Sequence, residues 1–290
     1  MKFNSNTAAM ILVAMAGLSE ANYAHGKKCK PKRSEALLQF SPDTSNQVST
    51  GPSPQTVLSP YVSSAEQVAS GSGVSPTTPS GVKGMAGATT RYWDCCKPSC
   101  SWEGKAVVTS PVNICAKDGV TRLTDLTAKN GCEAGGEAFA CTDNQPFEVS
   151  DELAYGFAAA HITGRTEKEQ CCACFKLKFT SHKVKGKTMI VQITNTGGDL
   201  KKDQFDIQMP GGGVGIFNGC QAQWNSPVDG WGQRYGGTQK ASDCDSLPKE
   251  LQPGCKWRYT WFADSHNPLI EYEEVACPAK LTDISGCKRT

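Results

Sequence analysis

Asp94 stands in the stretch TTRYWDCCKPSCSW (89–102), between Trp93 and a Cys-Cys pair, with Tyr92 two residues back. Asp199 and Asp206 stand in NTGGDLKKDQFDIQMPGGG (195–213), a run rich in glycine and charge. These residue types suit sugars: rings lie on the apolar faces of pyranoses, and carboxylates bind hydroxyls. Two carboxyls, one protonated and one ionised, are what glycosidic cleavage requires. Spacing alone does not select that chemistry. Asp94 and Asp206 are far apart in sequence, and exposed aspartates commonly cap turns or face water.

Other site chemistries find no pattern here. No G-x-S-x-G elbow is present. His161, His182 and His266 have no H-E-x-x-H or similar spacing. GGGVG (211–215) lacks the Lys-Ser/Thr of a phosphate loop and reads as a turn or tight strand.

The chain holds 15 cysteines, and only Cys29 precedes residue 95. An even set crowded into the remainder reads as a disulfide framework formed in an oxidising compartment. The competing reading is zinc, with Cys95, Cys96 and Cys100, or Cys171, Cys172 and Cys174, as ligands. Adjacent cysteines chelate poorly, and no C-x-x-C knuckle recurs, so no metal is expected.

Four segments must position these residues. Lys2 followed by AAMILVAMAGL (8–18) has the form of a signal peptide, too short to span a bilayer comfortably, with cleavage points at Ala21 and Ala24 (segment 1–24). Residues 25–40 are a short basic segment. Cleavage after Ala24 would expose His25, a possible copper clamp, but a linker follows where a rigid site would be needed. In residues 41–88, Gly, Pro, Ser and Thr fill 28 of 48 positions, too polar a composition to offset ordering entropy, so this is a linker. Residues 89–290 are the folded domain. Residues 1–88 hold seven of the 30 Lys+Arg and four of the 28 Asp+Glu, which leaves the domain at a net of −1. That balance speaks against nucleic-acid binding. No stretch other than the leader is long and apolar enough for a membrane span.

Within the domain, short apolar runs at 106–112, 174–180, 188–194, 257–262 and 270–277 predict strands, and DELAYGFAAAHI (151–162) predicts a helix capped by Ser150 or Asp151. Glycine and proline separate the runs, and no strict strand–helix alternation appears. The pattern predicts a mainly β barrel with short helices.

TTRYWDCC, CCACFKLKFT, TNTGGDL, FDIQMPGGGVGIFNGC and GQRYGG resemble glycoside hydrolase family 45 endoglucanases across nearly all of 89–290. The resemblance implies a six-stranded double-psi β-barrel with long loops, several disulfides and an open groove. It implies endo-hydrolysis of β-1,4-glucan (cellulose) with inversion, by a secreted monomer that uses no cofactor. Asp94 matches the general base, Asp206 the general acid and Asp199 an assisting loop carboxylate. Inversion needs about 6.5–9.5 Å between the two carboxyls so that a water fits. Thr90, Arg91, Tyr92, Lys97, Trp102, Gln204 and Asn267 match substrate-groove positions; for Arg91 and Lys97, packing at the barrel end is an equal alternative.

The implied disulfides are Cys95–Cys220, Cys96–Cys132, Cys100–Cys171, Cys115–Cys141, Cys172–Cys287, Cys174–Cys277 and Cys244–Cys255. Two positions depart from the family: Gln204 replaces a common histidine, and His266 a common aspartate before Asn267-Pro268. The alternative is an expansin-like or barwin-like carbohydrate-binding protein on the same barrel, which would lack the base; Asp94 discriminates between them.

Overall fold

The structure, a computed structural model, describes residues 84–290. The leader, the basic segment with His25 and Cys29, and nearly all of the linker lie outside the described residues. Seven strands form one sheet: β1 (Met85–Tyr92), β2 (Phe147–Ser150), β3 (Leu153–His161), β4 (Cys174–Phe179), β5 (Thr188–Thr196), β6 (Gln204–Gln208) and β7 (Leu269–Val275). Their order is β2-β3-β5-β4-β7-β1-β6, and β3 also pairs with β6, so six strands close into a barrel with β2 appended. Pairs β1/β6 and β3/β5 are parallel; the other four pairs around the barrel are antiparallel. Closure leaves the six barrel strands without a free edge.

The barrel interior is apolar. Phe175, Phe205 and Tyr272 meet edge to face, with centroids 5.0–6.1 Å apart. Leu177, Met189, Val191, Ile193 and Ile207 fill the space around them, all buried. Among the described residues, four short α-helices lie outside the barrel strands: α1 (Glu167–Gln170), α2 (Gly219–Trp224), α3 (Gln252–Tyr259) and α4 (Ala279–Ser285).

Three of the expected elements are corrected. Within 151–162, Leu153–His161 form strand β3, not a helix, despite an alanine-rich composition. β3 pairs with β2, β5 and β6, and Ala154, Phe157, Ala158, Ala159 and Ala160 are buried. Small residues are needed there because neighbours approach closely. A Cβ on Gly156 would come within 2.6 Å of Met189 Cε. Tertiary pairing overrides the local preference for helix.

Residues 257–262 are the end of helix α3 and its following turn, not a strand. Trp257 and Trp261, four apart, stack at 5.2 Å, the neighbour spacing of a helix. Residues 106–112 form a loop with one isolated bridge, Val108 to Arg289. Val112 anchors that loop against Cys100, Cys171, Cys172 and Cys287. A smaller shift concerns the domain's start: residues 85–88, read as linker, already belong to β1 and pair with β7.

All fourteen cysteines from Cys95 onward form disulfides: Cys95–Cys220, Cys96–Cys132, Cys100–Cys171, Cys115–Cys141, Cys172–Cys287, Cys174–Cys277 and Cys244–Cys255. The pairing is the one the resemblance implied. The cysteine triplets that could have held zinc are thereby consumed as bonded sulfur.

Candidate active site

Strands β1 and β6 run parallel with Thr90 opposite Asp206. Asp206 also faces Ala159 on β3, and Ala159 faces Asn195 on β5. Asn195, Ala159, Asp206 and Thr90 thus form one lateral row across four strands. The methyl of Ala159 leaves space in front of the row, and Ala159 lines the resulting cleft with Asn195 and Asp206.

β1 ends at Tyr92, and the chain turns sharply after Trp93, which is buried. Cys95 takes the left-handed conformation with φ 63°, which a residue with a Cβ adopts only under constraint. That constraint comes from the Cys95–Cys220 and Cys96–Cys132 bonds on either side of the turn. Asp94 is thereby aimed outward. Its Oδ1 accepts the Cys96 N–H at 3.0 Å, and its carbonyl accepts the Gly219 N–H at 2.8 Å. Only glycine fits at 219, since a Cβ there would lie 2.7 Å from Cys132 Sγ.

Three adjoining depressions make a groove. The first, about 430 Å³, is lined by Thr90, Arg91, Tyr92, Asp199, Gln204, Asp206, Tyr235, His266 and Asn267, among others. The middle cleft, about 130 Å³, carries both Asp94 and Asp206, with Tyr92, Asn195, Asp199 and Phe217. The third, about 310 Å³, is lined by Asp94, Lys97, Trp102, Asn130, Asn195 and Phe217. Asp206 belongs to the first and second, Asp94 to the second and third, so the two carboxyls bracket the middle cleft.

Burial raises both carboxyls. Asp206 is pushed up to about 7, by desolvation and then by the charges of Asp94 and Asp199, against a lowering contact from Thr90. Its Oδ1 is buried without a protein hydrogen-bond partner. Asp94 is pushed up to about 6 by desolvation, which the Cys96 N–H partly offsets. Asp94 therefore ionises first and Asp206 holds its proton longer. Gln204 Nε2 donates to Thr90 Oγ1 at 2.9 Å, so the Thr90 hydroxyl proton is free to face Asp206. Gln204 Oε1 accepts the Lys201 N–H at 3.3 Å, tying the Asp199 loop to this strand. The glutamine at this position supports the acid's neighbour.

Arg91 joins two loops. Its Nη2 donates to Gly236 O at 3.0 Å and to His266 Nδ1 at 3.1 Å, and its Nη1 reaches Asn267 Oδ1 at 3.5 Å. Burial and the neighbouring Arg258 lower it to about 10. His266 itself is held below its ordinary range, by burial and by Arg91. Lys97 is 3% exposed. Its Nζ donates to Leu126 O at 2.6 Å and Ala128 O at 3.0 Å and lies 3.0 Å from the Trp102 ring centroid. Lys97 thus backs the Trp102 ring and binds the 126–128 loop, with its ammonium already satisfied. Burial lowers it to about 8.

Three groove residues were not singled out in the sequence. Phe217 is 59% exposed and Tyr235 70%, both on the groove wall. Their signal was present: each is a large ring inside a glycine-rich loop, GGGVGIFNG and GQRYGG, where no core is available to bury it. Asn195 carried no such signal, because its place depends on strand register.

Comparison with known proteins places this groove. The profile of glycosyl hydrolase family 45 matches residues 86–288, which spans both aspartates and every disulfide. The chain belongs to glycosyl hydrolase family 45. Family 45 relatives include an endoglucanase of Cryptopygus antarcticus, 52% identical over 210 residues, covering 72% of this chain and 92% of that one. Endoglucanase 1 of Mycosarcoma maydis is 46% identical over 217 residues, covering 70% of this chain and 54% of the relative, so the chain spans about half of that protein. The crystal structure of a cellulase from the Antarctic springtail C. antarcticus superposes with a TM-score of 0.68 at 53% identity, covering 71% of this chain and 97% of the other.

Proposed function

We propose that this chain is an endo-β-1,4-glucanase that hydrolyses internal bonds of cellulose or related glucans with inversion. The observation that carries the reading is that Asp94 and Asp206 line one small cleft, where a backbone N–H favours the charge of Asp94 while Asp206 Oδ1 is buried without a hydrogen-bond partner. Asp206, protonated, gives its proton to the oxygen of the leaving glucosyl unit. Asp94, ionised, takes a proton from a water that attacks the anomeric carbon from the opposite face. The C–O bond to the leaving unit breaks as the bond to water oxygen forms, and the new reducing end is the α-anomer. Asp199, exposed on the loop after β5, adds negative charge that helps hold the proton on Asp206.

Substrate recognition follows from the flanking depressions. Trp102, Phe217 and Tyr235 offer rings to glucosyl faces; Thr90, Gln204, Arg91, Asn267 and Tyr92 offer polar groups. A groove extending on both sides of the cleft suits internal rather than terminal cleavage. Asp94 also argues against a non-hydrolytic expansin-like reading, which needs no base. The seven disulfides fit a monomer matured and released through an oxidising compartment.

The test measures new reducing ends and viscosity loss on a soluble cellulose derivative. Wild type should be active, and Asp94→Asn and Asp206→Asn should each fall by about 10²-fold or more in kcat. Full activity in either variant would remove the mechanism. Proton NMR of fresh product should show the α-anomer first; an initial β-anomer would contradict inversion.

A further inference from the structure

The register of β5 against β3 contains one irregularity. Ile193 faces Ala158, but Ala159 faces Asn195, so Thr194 is the extra residue of a β-bulge. Without the bulge Thr194 would occupy the row of Ala159, Asp206 and Thr90. With it, Thr194 turns inward and is fully buried, bonded through Oγ1 to Gln208 Oε1 at 3.1 Å. Asn195 takes its place in the row and lines the cleft. Bulges beside active sites commonly re-aim one side chain in this way.

The orientation of the Asn195 amide is decided by its neighbours. The Ser99 N–H can only donate, and it donates to Asn195 Oδ1 at 2.9 Å. Asn195 Nδ2 is then the atom that donates to Tyr92 Oη, at 3.2 Å. The phenol oxygen accepts from Asn195, so its own proton points elsewhere. Tyr92 lines the first depression with Asp206, and the middle cleft with both Asp206 and Asp94.

We propose that Asn195 is a positioning residue that fixes the Tyr92 hydroxyl as a proton donor into the cleft, toward the Asp94 carboxylate or the water it activates. The proton stays on Tyr92 throughout, and the phenol acts only as a hydrogen-bond donor. Burial and the charges of Asp94 and Asp206 raise the phenol well above its ordinary range, which keeps that proton in place. This inference rests on the reading of Asp94 as base, which the Asp94→Asn and Asp206→Asn variants test separately.

The experiment is a double-mutant cycle of Asn195→Ala and Tyr92→Phe, with kcat and KM measured across pH on a soluble glucan. Losing one directed hydrogen bond should lower kcat of Asn195→Ala by about tenfold, with KM within about twofold. The acid limb of kcat/KM should move to higher pH, because Asp94 loses a donor that favours its ionised form. In the Tyr92→Phe background the same substitution should change kcat by less than about twofold. An equal loss in both backgrounds, an unmoved acid limb, or a loss confined to KM would overturn the proposal. Should Asn195→Ala fail to fold, Tyr92→Phe alone decides. A lowered kcat with the acid limb moved upward supports the proposal, and an unchanged pH profile overturns it.

Discussion

Asp94 and Asp206 are the same chemical group in two environments. Asp94 has a backbone N–H to favour its charge; Asp206 Oδ1 is buried with no such donor and sits near two other carboxylates. Catalysis needs the first ionised and the second protonated. With Asp94 at about 6 and Asp206 at about 7, kcat/KM should be bell-shaped with a narrow maximum between those limits. A rate profile on a soluble glucan from pH 4 to 9 checks this; a flat plateau up to pH 9 would contradict it. The same environment has a stability consequence. The folded form of Asp206 binds its proton more tightly than the unfolded chain does, so this group's penalty is absent below about pH 4 and complete above about pH 7. Asp206→Asn should therefore raise Tm at pH 8 by several degrees and leave it nearly unchanged at pH 4.

Among the elements, the turn after β1 depends most on covalent support. Cys95 is left-handed there, and the N–H of Cys96, the next residue, binds the base. Removing Cys96–Cys132, a 36-residue separation, should destabilise the domain by about 2–4 kcal/mol and also reduce kcat several-fold. Cys172–Cys287 packs in a cluster with Val112, Cys100 and Cys171 that contains neither Trp93 nor Cys95, the chain neighbours of Asp94. A double serine variant there should lose stability of similar size while kcat of the folded fraction stays near wild type. Thermal unfolding and active-fraction kinetics on the two variants distinguish positional from global support. The loops show the same division of labour. Gly237 N–H and O pair with Gln233, and a Cβ at 237 would meet Gly211 O at 1.7 Å. Loop 233–237 therefore packs backbone to backbone and holds Tyr235 outward.

Over the whole molecule, a closed barrel serves as a rigid floor and disulfide-tied loops form the walls. Three adjoining depressions imply that binding energy accumulates along a chain. Hydrolysis of cello-oligosaccharides should become more efficient with length, kcat/KM rising by about tenfold or more from the trimer to the hexamer. Chromatography of products from that series checks it; equal efficiency for trimer and hexamer would contradict a groove of this extent. Truncating Phe217 or Tyr235 to alanine should raise KM for long substrates by a few-fold, on the scale of one lost sugar–ring contact. Among the described residues no helix is long and apolar enough to cross a membrane.

Some of this was decided by the sequence alone. RYWDCC, the QFD segment and the cysteine set specify the family, and an alternating run such as CFKLKF specifies a strand because one of its faces is the more deeply buried. Other features lay beyond local reading. The alanine run of β3 looks helical until its neighbours are known, since only pairing on both edges makes a strand of it. WRYTWF looks extended until the i, i+4 stacking of Trp257 and Trp261 is seen. The meeting of Asp94 with Asp206 depends on a parallel pairing between strands more than a hundred residues apart. The role of Asn195 depends on a one-residue bulge. Register and closure are long-range properties: they follow from which surfaces bury each other, and no window of local sequence contains that information.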